Sequence, residues 1–292
     1  MSGENRAGVI GLGAMGEPMA GHLANAGWLT MVWNRNPKKA EQFNRETGIN
    51  IAASPEELAA ECNVILTCVS ADAELLEVIS QVLQGTQPGD IVCDFSTVAP
   101  ATAQKVAASL AEKGAGFVDA PVSGGVEGAR KGTLSVMAGG ESANFSRIMP
   151  VLEAVSGTVT HMGPVGSGQA TKAVNQVIVA GTAEAVCEAL ALAEKLNLPS
   201  ERLLPVVGAG AAGSWFLQHR GQTMLDNEFD VGFKLSLLLK DLLICQELAQ
   251  DLDIPLPTVE TAIRDYTKLV ELGDGDHDIS GLIRLKRGVD QT

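Results

Sequence analysis

Two side chains in mid-chain have the types and spacing for acid–base chemistry on a small substrate. The stretch Gly168-Gln169-Ala170-Thr171-Lys172-Ala173-Val174-Asn175-Gln176 offers an amine and a carboxamide three residues apart, which a helix brings to one face. A lone Lys and Asn on a helix ordinarily mark a solvated surface. Here the neighbours Val174, Val177, Ile178 and Val179 are apolar, so the segment reads as buried. A partly buried lysine is costly unless it has a partner or a task. Desolvation or nearby positive charge would lower its pKa and let it exchange a proton near neutrality. The usual acid–base residue is histidine, but His161 and His219 have no evident partner in the sequence.

A second constellation lies at the other end of the chain. Val9-Ile10-Gly11-Leu12-Gly13-Ala14-Met15-Gly16 is a short apolar strand running into G-x-G-x-x-G, and Met19, Ala20, Leu23 and Ala24 continue at helical spacing. In a strand–turn–helix the first glycine permits the tight turn and the second lets the backbone approach a pyrophosphate. The third lets helix and strand pack closely, with the helix N-terminus facing the phosphates. The next strand, Leu29–Trp33, ends in Asn34-Arg35-Asn36-Pro37, with no acid before Glu41. A carboxylate at this point would select NAD through the ribose hydroxyl and repel a 2′-phosphate, whereas Arg35 can pair with that phosphate. NADP is therefore expected over NAD, with NAD use possible.

The elements that would position these residues follow from the pattern. Asn63–Val69, Ile91–Phe95, Gly116–Ala120, Thr133–Ala138 and Thr158–Met162 read as strands. Asp72–Leu83, Pro100–Lys113 and Ser142–Val155 read as helices. This alternation predicts an α/β Rossmann-type, doubly wound, largely parallel sheet. Ligands of such sheets sit beyond the carboxyl ends of the strands, where Val69-Ser70, Ser96-Thr97 and Pro121-Val122-Ser123-Gly124-Gly125 fall. The paired glycines of that last loop would let backbone N–H groups converge on a carboxylate. Gly163-Pro164-Val165-Gly166-Ser167-Gly168 is the densest breaker cluster, so a dinucleotide-binding domain is expected over 1–163 and an all-α domain over 164–292. The second begins with a helix of roughly 28 residues from Gln169, about 42 Å long. Helices follow from a Ser200 cap, over Lys234–Ala249 and over Thr258–Leu272. A long apolar helix in an all-α domain suggests a homodimer or homotetramer.

Composition bounds the function. The 292 residues are 46% hydrophobic and 19% charged, as in ordinary globular chains, and suffice for two domains. A net charge of -14 argues against nucleic acid or an anionic membrane as partner. Cys62, Cys68, Cys93, Cys187 and Cys245 show no metal-ligand spacing with the four histidines and read as free thiols in a reducing compartment. No signal-like apolar region follows the N-terminus, and no uninterrupted apolar run reaches ~18 residues. A cytoplasmic enzyme is the expectation.

Four motifs occur in order over nearly the whole chain: Gly11–Ala20, Asp119-Ala120-Pro121-Val122-Ser123-Gly124-Gly125, Gly168–Gln176 and Lys240-Asp241. Together they resemble the β-hydroxyacid dehydrogenase family, which includes 3-hydroxyisobutyrate dehydrogenase, tartronate semialdehyde reductase and glyoxylate/succinic semialdehyde reductases. The resemblance implies a Rossmann domain, then an all-α domain, with a nicotinamide cofactor and a small carboxylate-bearing substrate. It places Lys172 on the family's catalytic lysine and Asn175 on its substrate-binding asparagine. It places Ser123, Gly124 and Gly125 on the carboxylate loop. The cofactor would meet Gly11, Leu12, Gly13, Ala14, Met15, Gly16, Asn34, Arg35, Val69 and Ser70, with Thr97 and Lys240 beside the nicotinamide. Val69-Ser70 departs from the Leu-Pro of many members. The implied reaction joins a 3-hydroxy acid and its semialdehyde. The rival reading is a non-catalytic NADP(H)-binding module. An imine reductase of related fold typically lacks the lysine.

Overall fold

The computed structural model describes residues 6–230 and 232–288. Residues 1–5, on which part of the N-terminal reading rests, Val231 and residues 289–292 lie outside the described residues. The chain divides into two compact units, one ending at Lys172 and one starting at Ala173.

In the first unit the elements run β1 (Ala7–Ile10), α1 (Gly16–Asn25), β2 (Leu29–Trp33), α2 (Pro37–Thr47), β3 (Asn50–Ile51), α3 (Pro55–Glu61), β4 (Val64–Thr67), α4 (Asp72–Gly85), β5 (Ile91–Asp94), α5 (Pro100–Ala111), β6 (Gly116–Asp119), β7 (Val122–Ser123), α6 (Gly125–Lys131), β8 (Leu134–Gly140), α7 (Ser142–Glu153), β9 (Ser156–Gly163) and the start of α8 (Ser167–Lys195). β3, β2, β1, β4, β5 and β6 lie side by side in parallel. The four residues of β1, β4 and β5 are all buried, because helices cover both faces of the sheet. Alternate residues serve opposite layers. Val9, Leu66, Cys93 and Val118 join one core, whereas Ile10, Ile65, Val92 and Phe117 join the other.

The sheet is not parallel throughout. β8 runs antiparallel to β6 and to β7, which keep one register along it from Val118↔Gly140 to Ser123↔Ser135. The turn back from Ser123 to Leu134 holds only the short α6, too little chain for the crossover that a parallel neighbour requires. β9 then pairs with β8 in parallel.

Two helices absent from the sequence reading carry clear caps. Asn36 accepts from the Lys38 N–H at the start of α2, with Pro37 behind it. Ser54 Oγ accepts from the Glu57 N–H to cap α3, and the Glu57 carboxylate reaches back to accept from the Ala53 N–H just before the cap.

The second unit contains the rest of α8, then α9 (Ser200–Gly208), α10 (Trp215–Leu225), α11 (Leu235–Asp251), α12 (Pro257–Glu271), a 3-10 turn (Ile279–Leu282) and α13 (Ile283–Lys286). Outside these helices the unit shows only an isolated bridge between Lys234 and Asp278 among the described residues. α10, capped by Ser214, is a further helix that the sequence reading does not name. Pro199, not Ser200, occupies the cap of α9, and no side chain caps it. Tyr266, Met224, Cys187 and Leu242 form the centre of the unit's core. Lys286 closes it with ion pairs to Glu184, Glu188 and Asp265. By length and mean hydropathy α8 could cross a membrane, which the reading of uninterrupted apolar runs does not register. Half of its most apolar window is buried in the fold, as in a core helix.

Candidate active site

The three glycines of the first loop differ in what a side chain would meet. Gly11 has φ +101°, and a Cβ there would lie 2.2 Å from the Cys68 carbonyl oxygen. At Gly16 a Cβ would lie 1.9 Å from the Gly11 oxygen. At Gly13 it would meet nothing within 4 Å. The outer glycines are therefore required by the fold, while the middle one opens to free space, as a backbone that a pyrophosphate approaches must. The cap of α1 at Met15 makes no side-chain hydrogen bond; the Glu17 N–H donates to the Gly13 carbonyl at 3.1 Å and Pro18 carries no N–H, so phosphate oxygens would be met by the N–H groups of the glycine turn itself. The residues present thus fit a dinucleotide.

The neighbouring loops are tied to this cradle. The Leu12 N–H donates to Asn34 Oδ1 at 2.8 Å, and Asn34 Nδ2 donates to the Asn36 carbonyl at 2.9 Å. Leu12 buries its side chain in the core, and Ala14 is exposed at the tip. The Asn34 carboxamide holds the glycine loop against the end of β2. Arg35 projects from that end with a side chain 72% exposed and pairs with Glu74 through Nη2 at 2.8 Å. Glu74, in the first turn of α4, also accepts from the Ser70 N–H at 3.0 Å. That backbone donor first, and Arg35 next, hold its carboxyl below the usual range.

At the ends of β4, β5 and β6, Thr67, Asp94 and Asp119 stand in register. Asp94 Oδ1 accepts from the Thr67 and Ser96 hydroxyls at 2.7 and 2.6 Å. Ser96 Oγ in turn accepts from the Val69 N–H at 2.9 Å. Burial pushes the Asp94 carboxyl up to about 6 against those donors. Asp119 is fully buried and receives the N–H groups of Gly166 at 2.8 Å and Gln169 at 2.9 Å. Its carboxylate therefore seats the N-terminus of α8, supplied from a neighbouring strand and not from the helix itself. Gln169 donates to the Ser96 carbonyl at 2.8 Å and accepts from the Val98 N–H at 3.2 Å, so it brackets Thr97 on both sides. One turn further along the helix is Lys172, only 7% exposed. The burial expected of its neighbours is mixed. Val174 and Ile178 are exposed, and Val177 and Val179 are partly buried, because the helix alternates covered and open faces.

Ser123 ends β7, and Gly124 and Gly125 follow with φ +126° and +62°, conformations that favour glycine. They open α6 without a side-chain cap. Glu127, which the sequence reading leaves out, sits in the first turn of α6. Its Oε2 lies 3.3 Å from where a Gly125 Cβ would stand.

In the second unit Asn175 and Lys240 are joined by two residues to which sequence reasoning assigns no role. Asn175 Nδ2 donates to Gln176 Oε1 at 2.8 Å, and Gln176 Nε2 donates to Asp241 Oδ2 at 2.7 Å. Lys240 pairs with Asp241 Oδ1 at 2.8 Å. Spacing alone could have hinted at Gln176, four residues after Lys172, but not at its partner 65 positions away. His161 stacks on Phe145 with Nε2 2.8 Å from the Gly140 carbonyl, and His219 stacks on Trp215. Both have packing roles.

Residues 6–163 match the family described as "NAD binding domain of 6-phosphogluconate dehydrogenase". Residues 166–286 match "NAD-binding of NADP-dependent 3-hydroxyisobutyrate dehydrogenase". The chain is 34% identical to the 2-hydroxy-3-oxopropionate reductase of Escherichia coli K12 over 95% of each protein. Among solved structures it is similar to Mycobacterium tuberculosis 3-hydroxyisobutyrate dehydrogenase with L-serine. That match has a TM-score of 0.87 at 30% identity, over 98% of this chain and 100% of the other. It also resembles Psf3, in complex with NADP+ and 2-OPP, with TM-score 0.88 at 25% identity over 96% and 99%.

Proposed function

From the premise that the chain belongs to the β-hydroxyacid dehydrogenase family, NAD(P)-dependent oxidoreductases acting on a CH–OH group, we propose an NADP-preferring enzyme with Lys172 as general acid/base. Its reaction interconverts a small 3-hydroxy acid, 3-hydroxyisobutyrate-like, and the corresponding semialdehyde. The observation that carries this reading is Lys172 itself: a lysine withdrawn from water on a helical turn that Asp119 and Gln169 fix. In reduction its ammonium polarises the carbonyl and then protonates the oxyanion; in oxidation the neutral amine takes the hydroxyl proton. The nicotinamide, when bound, supplies or accepts the hydride. Ser123, Gly124 and Gly125 hold the substrate carboxylate, and Asn175, oriented by Gln176, aligns the substrate.

The cofactor loop is Gly11–Gly16, with Asn34 bracing it and Arg35 reaching the 2′-phosphate. The absence of an acid between Trp33 and Glu41 supports NADP. Val69, Ser70, Thr97 and Lys240 complete the cofactor contacts. Five free thiols suit a reducing compartment, and we place the enzyme in the cytoplasm. A homodimer or homotetramer is part of this reading. An open apolar groove of about 730 Å³ runs between α8 and α9, lined by Ile178, Leu192, Leu196, Leu203 and Val207. None of the chemistry-bearing residues lines it, so a second copy suits it better than substrate.

The test is initial-rate kinetics with NADPH and NADH against 3-hydroxyisobutyrate and tartronate, glyoxylate and succinic semialdehydes. Turnover on a short carboxylate-bearing substrate, faster with NADPH, is expected. Tight NADPH binding with silence across the panel would replace this reading by the non-catalytic module. A higher kcat/KM with NADH would overturn the cofactor assignment.

A further inference from the structure

The acid that the sequence lacks after β2 is present in space. Glu74 comes from the first turn of α4, 39 residues beyond Arg35, and places Oε1 2.8 Å from the Arg35 guanidinium. Its other oxygen accepts from the Ser70 N–H at 3.0 Å, so the carboxylate has an anchor near the end of β4 that does not depend on Arg35. The anchor and the cation both favour its ionised form. Arg35, at 72% side-chain exposure, is the more solvent-accessible member of the pair.

We propose that Glu74 sets how far this enzyme discriminates between the phosphorylated and unphosphorylated dinucleotide, by competing with the 2′-phosphate for Arg35. The inference deepens the cofactor reading above and rests on Arg35 being the residue that takes that phosphate. An arriving phosphate of charge about -1.5 to -2 meets a neutral Arg–Glu pair instead of a lone cation. It must either displace the carboxylate or share the guanidinium with it. Sharing leaves two anions about 5–7 Å apart, a repulsion that water weakens but does not remove. The unphosphorylated ribose carries no such charge and meets no such repulsion. Glu74 thus narrows the preference for NADP that Arg35 creates, and does so by weakening the binding of NADPH alone.

Glu74→Gln removes the charge and keeps an oxygen for the Ser70 N–H. Dissociation constants for NADPH and NADH, read by nicotinamide fluorescence, are compared for wild type, Glu74→Gln, Arg35→Ala and the double variant. Glu74→Gln should tighten NADPH about 3- to 20-fold at low salt and by less at 0.5 M salt, from the Coulomb and screening scales. NADH should stay within about twofold, an internal control for folding and for the rest of the site. The NADPH gain should vanish when Arg35 is alanine, the non-additivity expected of two groups acting on one phosphate. If Arg35→Ala weakens NADPH but Glu74→Gln leaves it unchanged, weakens it, or tightens both cofactors equally, the inference is overturned and the cofactor reading stands. If Arg35→Ala leaves NADPH unchanged, the cofactor reading fails and the inference fails with it.

Discussion

Lys172 and Asp94 are both ionisable groups taken out of water, and the surroundings give them different work. Lys172→Ala should lower kcat by roughly 10²- to 10⁴-fold while leaving NADPH affinity nearly unchanged. Lys172→Arg should not restore turnover, because guanidinium does not deprotonate near neutrality. A near-normal kcat for Lys172→Ala would show that the proton moves elsewhere. Asp94 has no proposed contact with substrate and braces Ser96, which braces Val69. Its carboxyl is raised from 3.8 to about 6 by burial. A raised pKa in the folded state means that folding favours the protonated form. Its stabilisation is complete below about pH 4 and is lost as the pH rises through about 6. The melting temperature of wild type relative to Asp94→Asn should therefore fall between pH 4 and 7, and a flat difference would rule this out.

At the level of elements, the site depends on where the backbone must come close. Gly13→Ala meets open space, so its melting temperature should match wild type while the Kd for NADPH rises about tenfold or more, because the new methyl stands where the phosphates approach. Gly16→Ala drives a methyl into the Gly11 carbonyl and should lower the melting temperature, through overpacking that costs about 1–3 kcal/mol of stability. Equal thermal effects in the two variants would contradict the division of roles. The start of α8 obeys the same logic. A Cβ on Gly168 would lie 2.3 Å from the Met137 carbonyl oxygen, so only glycine lets the helix settle onto Asp119. The turn bearing Lys172 inherits its position from that contact.

For the whole molecule, the exposed apolar side chains decide what remains to be covered. Ile178 and Leu192 lie along α8 and Leu196 follows its last residue; all three are exposed and line the groove. A Leu192→Glu/Leu196→Glu double variant should reduce the mass in solution from dimer or larger to monomer, read by sedimentation at micromolar concentration. Wild type already monomeric there would refute the assembly.

The sequence by itself left out the two-residue strands β3 and β7 but determined the parallel strands β1, β2, β4, β5 and β6, the glycine turn, the long helix and the family. Each is written in local spacing: apolar runs for buried strands, G-x-G-x-x-G for the turn, and four motifs in fixed order. It did not disclose the antiparallel β8, since the direction of a strand depends on how much chain is available to return it. Nor could it show the pairs that act across the fold. Asp119 beneath Gln169, Gln176 on Asp241 and Glu74 on Arg35 join residues 39 to 65 positions apart. Charge and polarity are visible in a sequence, but the partner that neutralises them is chosen by packing. For that reason Arg35 read alone predicts a bare cation, and only the tertiary structure supplied the carboxylate beside it.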